Sequence, residues 1–155
     1  MTPRARLAAA ARIALAALAL ASCSRLVVLH DPLTAAEHND LGVAYEASGQ
    51  PSLARREYRK ALKLDSRLVR ARVNLGNLEA GAARWDRAER EYRRALALAP
   101  DDADALNNLA VALARRGRRL AEAEALVMRA LSQGGPRDSL YRATLAEVRA
   151  AQGRP

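Results

Sequence analysis

The chain has 155 residues, with 26 Lys and Arg against 17 Asp and Glu and a formal net charge of +9. Alanine, leucine and arginine dominate, all strong helix formers, while Phe is absent, Trp occurs once and β-branched residues are few, which argues against a sheet. A single cysteine, Cys23, excludes an intrachain disulfide and a thiolate metal cluster.

Residues 1–12, MTPRARLAAAAR, are short and positive; nine apolar residues follow, IALAALALA, and small residues then lead to Cys23. This is the three-part layout of a secretory signal peptide. The apolar run is too short to span a bilayer, which takes about 20 residues. Leu20, Ala21, Ser22 and Cys23 resemble the lipobox of bacterial lipoproteins. The resemblance implies that residues 1–22 are removed and that Cys23 becomes the acylated first residue. Two acyl chains hold a protein stably on a membrane, each buried methylene contributing about 0.8 kcal/mol. The alternatives are a cleaved ordinary signal with a free thiol, or an uncleaved anchor. Ser24, where an Asp would retain such a protein in the inner membrane, points by the same resemblance to the outer membrane, on its periplasmic face. Without residues 1–22 the chain loses three arginines and no acid, and its charge is +6. Residues 23–34 then form a lipidated N-terminus and tether. The eleven residues after Cys23 reach at most about 36–40 Å, so the domain is expected close to the membrane. His30 reads as a linker residue.

Beyond the tether the chain repeats itself. Leu41, Leu75 and Leu109 are spaced by 34, as are Ala54 and Ala88, Tyr58 and Tyr92, and Ala61 and Ala95. A helix–turn–helix unit of 34 residues is the signature of the tetratricopeptide repeat (TPR), which this pattern resembles. The resemblance implies an all-α solenoid of about three repeats, at 35–68, 69–102 and 103–137, closed by a capping helix within 138–155. The first repeat carries Leu41, Gly42, Tyr45, Ala54, Tyr58 and Ala61; the second carries Leu75, Gly76, Ala88, Tyr92, Ala95 and Pro100, with Glu79 where tyrosine is usual. Gly42 and Gly76 are expected to let the two helices of a repeat approach closely, with Ala54 and Ala88 as the small faces that meet them and the tyrosines filling the gap. The third repeat is degenerate. Val127 replaces the aromatic, and the match needs two one-residue insertions. Leu41–Gly49, Leu109–Gly117 and Leu145–Gly153 each keep a spacing of eight, while the second repeat carries one Ala more after Gly81. Pro100 and Pro136 end helices, because proline lacks the N–H that continues the ladder. Asp101, Asp102 and Asp104 follow at a helix start, where carboxylates accept free backbone N–H groups; this capping role is favoured over a metal site. Asp138 or Ser139 is expected to cap the final helix.

In the family that this pattern resembles, the first helix of each repeat lines a concave groove. The resemblance places Asn39, Asp40 and Val43 there from the first repeat, Arg70, Asn74 and Asn77 from the second, and Asp104, Asn107, Asn108 and Val111 from the third. The positions that would form a chaperone-type carboxylate clamp hold Asn39, Val43, Asn74, Asp104 and Asn108, so an acidic C-terminal tail is not expected as ligand. An asparagine ladder is the other mode: an amide carries both donor and acceptor and can pair with a peptide unit whatever its side chain. The same asparagines can instead hydrogen-bond between neighbouring repeats.

The remaining charge reads as solvation. In WDRAEREYRRAL bases and acids alternate at helical spacing, and no interleaved aromatics offer stacking to a nucleic acid. Arg55, Arg56, Arg84, Arg87, Arg93 and Arg94 are expected to face outward. Arg115, Arg116, Arg118 and Arg119 form a denser cluster, suited to phospholipid headgroups or an acidic partner. His30 and His38 have no nucleophile or metal partner nearby, and no phosphate loop appears, so no enzyme activity, metal or cofactor is expected. The function implied is a lipid-anchored periplasmic adaptor that binds a protein segment of an envelope complex, similar to small repeat lipoproteins of pilus assembly and secretin pilotins. The alternative is a self-associating envelope tether without a peptide ligand, since three repeats are a minimal stack.

Overall fold

The computed structural model describes residues 31–154; Cys23 and the segment before it lie outside them. Among the described residues seven helices follow in order: α1 Ala35–Ala47, α2 Pro51–Leu64, α3 Val69–Gly81, α4 Trp85–Leu98, α5 Ala103–Arg115, α6 Leu120–Ser132 and α7 Asp138–Ala151. No strand occurs among the described residues. None of these helices is long and apolar enough to cross a membrane.

Local chemistry sets the helix ends. Thr34 and Glu37 form a reciprocal capping box at α1: the Glu37 amide donates to Thr34 Oγ1 at 3.3 Å, and the Thr34 amide donates to Glu37 Oε2 at 2.7 Å. Those hydrogen bonds hold the Glu37 carboxyl below its ordinary range. Pro51 opens α2, where a missing N–H costs nothing. Asp102 caps α5 by accepting from the Ala105 amide at 2.8 Å. Its neighbours do other work: Asp101 pairs with Arg129, and Asp104 with Arg137 and the Tyr141 hydroxyl. Asp138 and Ser139 do not cap α7. Arg137 stands at the cap position with no side-chain cap bond, and Asp138 falls inside the first turn.

Each helix packs antiparallel on the next, and α7 covers both α5 and α6. The first helices of the repeats also touch across the stack, α1 on α3, α3 on α5 and α5 on α7, whereas α2, α4 and α6 make no such contacts with one another. The first helices therefore line the inner, concave side, and the second helices splay apart on the outside.

Close approach within each pair rests on one contact. A Cβ placed on Gly76 would sit 2.5 Å from Tyr92 Cε1, and one on Gly42 would meet the Tyr58 ring in the same way. The ring lies directly on the glycine, so Tyr58 and Tyr92, rather than Ala54 and Ala88 alone, take up the space the missing side chain leaves. In the third repeat the equivalent positions are Ala110 and Val127, both fully buried. The added methyl is matched by a smaller partner.

The turns show where the insertions fall. Ala88, Tyr92 and Ala95 recur as Ala123, Val127 and Ala130, each 35 later. The α5–α6 turn is thus one residue longer than its counterparts, and Arg119 there takes φ 51°. The 133–137 connection holds the second extra residue, with Gly134 and Gly135 both at positive φ. After the first helices of repeats one and three, Gly49 and Gly117 adopt φ 70° and 60°. In the second repeat Ala83 occupies that conformation at φ 55°, and Gly81 is the last helical residue, so Gly81 is not the turn glycine.

Candidate functional site

The concave face is centred on α3. Asn74 Nδ2 donates to Asn39 Oδ1 on α1 at 2.9 Å, and Asn108 Nδ2 on α5 donates to Asn77 Oδ1 at 2.9 Å. The asparagines therefore do brace neighbouring repeats. Bracing uses only half of each α3 amide. Asn74 Oδ1 and Asn77 Nδ2 make no hydrogen bond among the described residues, and both side chains are accessible. Three residues apart, they share one face of α3 and offer one acceptor and one donor.

Other expected groove residues divide by burial. Asp40, Val43, Arg70 and Asn77 are exposed, with Val43 at 47%, and Asp104, Asn108 and Val111 are partly buried. Asp40 and Arg70 approach to 3.8 Å across α1 and α3, an exposed pair that adds little. Asn39 and Asn107 are each 2% exposed and sit beneath the surface rather than on it. Asn39 is fully engaged, its Nδ2 donating to Asp40 at 3.1 Å. Asn107 repeats that position, but α7 presents no asparagine to it, and its Oδ1 is buried without a partner.

Tyrosines from the outer helices reach this face from behind. The Tyr92 hydroxyl passes Gly76 and donates to Asn77 Oδ1 at 2.8 Å, and the Tyr58 hydroxyl donates to Glu46. Burial pushes the Tyr58 hydroxyl well above its ordinary value, with the Glu46 carboxylate adding to the shift. Burial likewise raises Tyr92. Tyr141 is pushed up to about 12 by burial and then by its bond to Asp104. All three tyrosines are neutral donors at physiological pH, and Tyr92 fixes which way Asn77 points.

The outer arginines do not simply face water. Glu79, 2% exposed where a tyrosine is usual, gathers Arg55 at 2.8 Å, Arg84, and Arg87 at 4.0 Å. It ties α2 to the α3–α4 turn. Glu57 is as deeply buried and accepts from Arg56 at 2.9 Å, with His38 Nδ1 2.8 Å and Lys60 3.3 Å away. Burial raises the Glu57 carboxyl, but the bonds from Arg56, His38 and Lys60 outweigh it, and the net position is below the usual range. Arg93 binds Glu89 and Glu122, and Arg94 binds Glu91. Of the 115–119 cluster, Arg115 pairs with Glu147, Arg116 with Asp86 and Glu89, and Arg119 with Glu89 and Glu122; Arg118 alone makes no ion pair among the described residues. Glu89, raised by burial, is held low by Arg93 and Arg116. Sequence reasoning missed these buried acids. The signal available was Glu79 at an aromatic position and Glu57 one residue before the packing tyrosine.

Two tetratricopeptide-repeat family models match the chain, one over residues 35–68 and one over 69–139. The chain belongs to the tetratricopeptide-repeat family. This TPR chain overlays the first TPR domain of Spaghetti (RPAP3), solved bound to the HSP90 peptide SRMEEVD, with a TM-score of 0.72 at 20% identity, covering 81% of this chain and 98% of that one. Over 96 residues it is 38% identical to Protein O-mannosyl-transferase Tmtc1 of Drosophila melanogaster, which is 59% of this chain but 11% of the relative. The matched stretch is thus about a tenth of that protein, and the transferase name is said of that protein alone.

Proposed function

We propose that this TPR chain is a non-enzymatic adaptor, acylated at Cys23 on the periplasmic side of a bacterial envelope membrane, that holds an extended segment of a partner protein in its concave groove. The observation that carries the groove reading is the half-used pair on α3. Asn74 Oδ1 and Asn77 Nδ2 are oriented by their bonds to the neighbouring repeats and present the acceptor and donor that a peptide unit requires. The related fold solved with the HSP90 peptide supports a peptide as ligand. The chemistry here differs from a carboxylate clamp, since Asn39, Val43, Asn74, Asp104 and Asn108 supply no cation. Main-chain recognition of an uncharged stretch fits better than capture of an acidic terminus. Pilus or secretin assembly is the pathway that the lipobox and the small repeat domain together suggest.

One experiment tests both halves. The protein is captured with crosslinking from its own membranes as wild type, Asn77→Asp and Cys23→Ala. Asn77→Asp keeps the oxygen that accepts from Tyr92 and Asn108 but replaces the free donor with an acceptor. It should keep the wild-type melting temperature and lose at least about ten-fold of the captured partner, the cost of an unmatched polar group. Undiminished capture by Asn77→Asp would remove the groove from the proposal. Cys23→Ala should leave the membrane fraction; its retention there after processing would remove the acyl anchor.

A further inference from the structure

The outer face of α2 carries an unusual charge. Ser52, Arg55, Arg56, Arg59, Lys60 and Lys63 line one shallow open groove of about 420 Å³, and no other described helix contributes to it. Their spacing places them on one side of the helix along roughly 16 Å. Among the described residues, Arg55 pairs with Glu79, and Arg56 and Lys60 pair with Glu57; both acids are buried beneath the stripe and shared with His38, Arg84 and Arg87. Arg59 and Lys63 make no ion pair among the described residues.

This is not a general property of the convex side. The same face of α4 offsets Arg90, Arg93 and Arg94 with Asp86 and Glu89, and that of α6 carries only Glu124 and Arg129. Five bases against no acid in the first repeat become three against two, then one against one. Within that first repeat the inner helix is the opposite: α1 carries Glu37, Asp40 and Glu46 and no Lys or Arg. The 115–119 cluster, denser in sequence, is largely consumed by Asp86, Glu89, Glu122 and Glu147.

We propose that the α2 stripe docks the domain onto an anionic phospholipid surface. A folded protein partner is the weaker fit. Tight protein interfaces are anchored by aromatic or aliphatic side chains set in pockets, and the stripe has none. A plane of phosphate headgroups asks only for closely spaced cations on a convex, accessible face, each Lys or Arg strengthening the attraction several-fold. Docked in this way, α2 lies on the lipid while the acidic α1 and the groove turn away from it and stay open. The inference rests on the membrane placement proposed above only for the presence of a bilayer nearby.

Lys60 and Lys63 are the chain's only lysines, so amine acetylation read by mass spectrometry reports on the stripe directly. The full chain is pulse-acetylated with vesicles of phosphatidylcholine alone and with vesicles containing about one-third phosphatidylglycerol. Both lysines should react several-fold more slowly on the anionic vesicles, and high salt should abolish the difference. Arg59→Glu should remove most or all of that several-fold protection, while Arg118→Glu, in the other arginine cluster, should leave it unchanged. Equal lysine reactivity on the two vesicle types overturns the proposal. So does protection by soluble polyglutamate without protection by anionic vesicles, which would assign the stripe to an acidic polypeptide. Co-sedimentation with the neutral vesicles reports the acyl anchor separately, so loss of the anchor and loss of the stripe give different results.

Discussion

The first and third repeats build the same helix pair from opposite chemistry. Where His38 meets Glu57 in the first repeat, the second has Arg72 and Glu91 at 3.3 Å, and the third has Leu106 and Leu126, which line a common open groove of about 310 Å³. Where Tyr58 lies on Gly42 and Tyr92 on Gly76, the third repeat sets Val127 against Ala110. Tyr45 and Glu79 likewise become Leu113. At the first two of these positions each change is matched by its partner. The unit preserved along the solenoid is therefore a complementary pair. The larger apolar cluster gathers around the degenerate third repeat and α7, while the first repeat adds polar bonds to a small core of Ala54, Tyr58, Leu75 and Leu78.

The largest effect expected from breaking this symmetry is at the glycine–tyrosine contact. Tyr92→Val should cost about 3 kcal/mol through the cavity it leaves. Gly76→Ala alone should cost about 1–3 kcal/mol by overpacking, although alanine is ordinarily the better helix former. Together the two changes rebuild the Ala110–Val127 arrangement of the third repeat. Urea denaturation of the double variant should show it more stable than Tyr92→Val alone, with a coupling on the order of 1 kcal/mol. Strict additivity would mean that the two sites do not share the space the structure gives them.

A second difference concerns acid. The Glu57 carboxyl is held below its ordinary value of 4.5, chiefly by hydrogen bonds that outweigh burial. A carboxyl lowered in the folded state adds stability that is complete above its unfolded value and is lost as pH falls through the folded one. Leu126 at the matching place adds no such dependence. Urea midpoints measured from pH 7 down to pH 3 should therefore fall more steeply for the wild type than for Glu57→Gln. Parallel curves would show that Glu57 is not held low in the folded protein.

How much of this was legible follows from what repetition can and cannot show. The period of 34, the glycine–tyrosine positions and the two breaks in phase can be read because each is a spacing along the chain. The inter-repeat bonds of Asn74 and Asn77 were half legible: their position on a first helix follows from the period, but which half of each amide is committed depends on Asn39, Tyr92 and Asn108 meeting there. Glu57 and Glu79 were not legible as buried, because an acid amid arginines at helical spacing has the pattern of a solvated face. Only packing reveals that these two point inward and that Arg55 and Arg84 follow them. The α2 stripe was obscured for the same reason. Its excess of bases over the one acid of α2 can be counted in the sequence, but that Glu57 lies underneath the stripe, and not beside it, is seen only in the packing.

The smallest effect expected is at the turn where the second repeat departs from the first and third. Gly49 and Gly117 enter the left-handed region at little cost, but Ala83 at φ 55° brings its Cβ against the backbone, at about 1–2 kcal/mol. Ala83→Gly removes that strain and adds back roughly 1 kcal/mol of chain entropy in the unfolded state. The net should be a gain of about 0.5 kcal/mol, read as a slightly raised urea midpoint. The next residue gives the position further meaning. Arg84 binds buried Glu79 and keeps Nη2 buried without a partner, so the turn also fixes a guanidinium that ties α2 to the second repeat. A gain in Ala83→Gly would show that the ion pair positions the turn and merely tolerates alanine. A loss would show the reverse: the stiffer alanine holds Arg84 on Glu79, and the strain in the turn is what keeps the first repeat joined to the second.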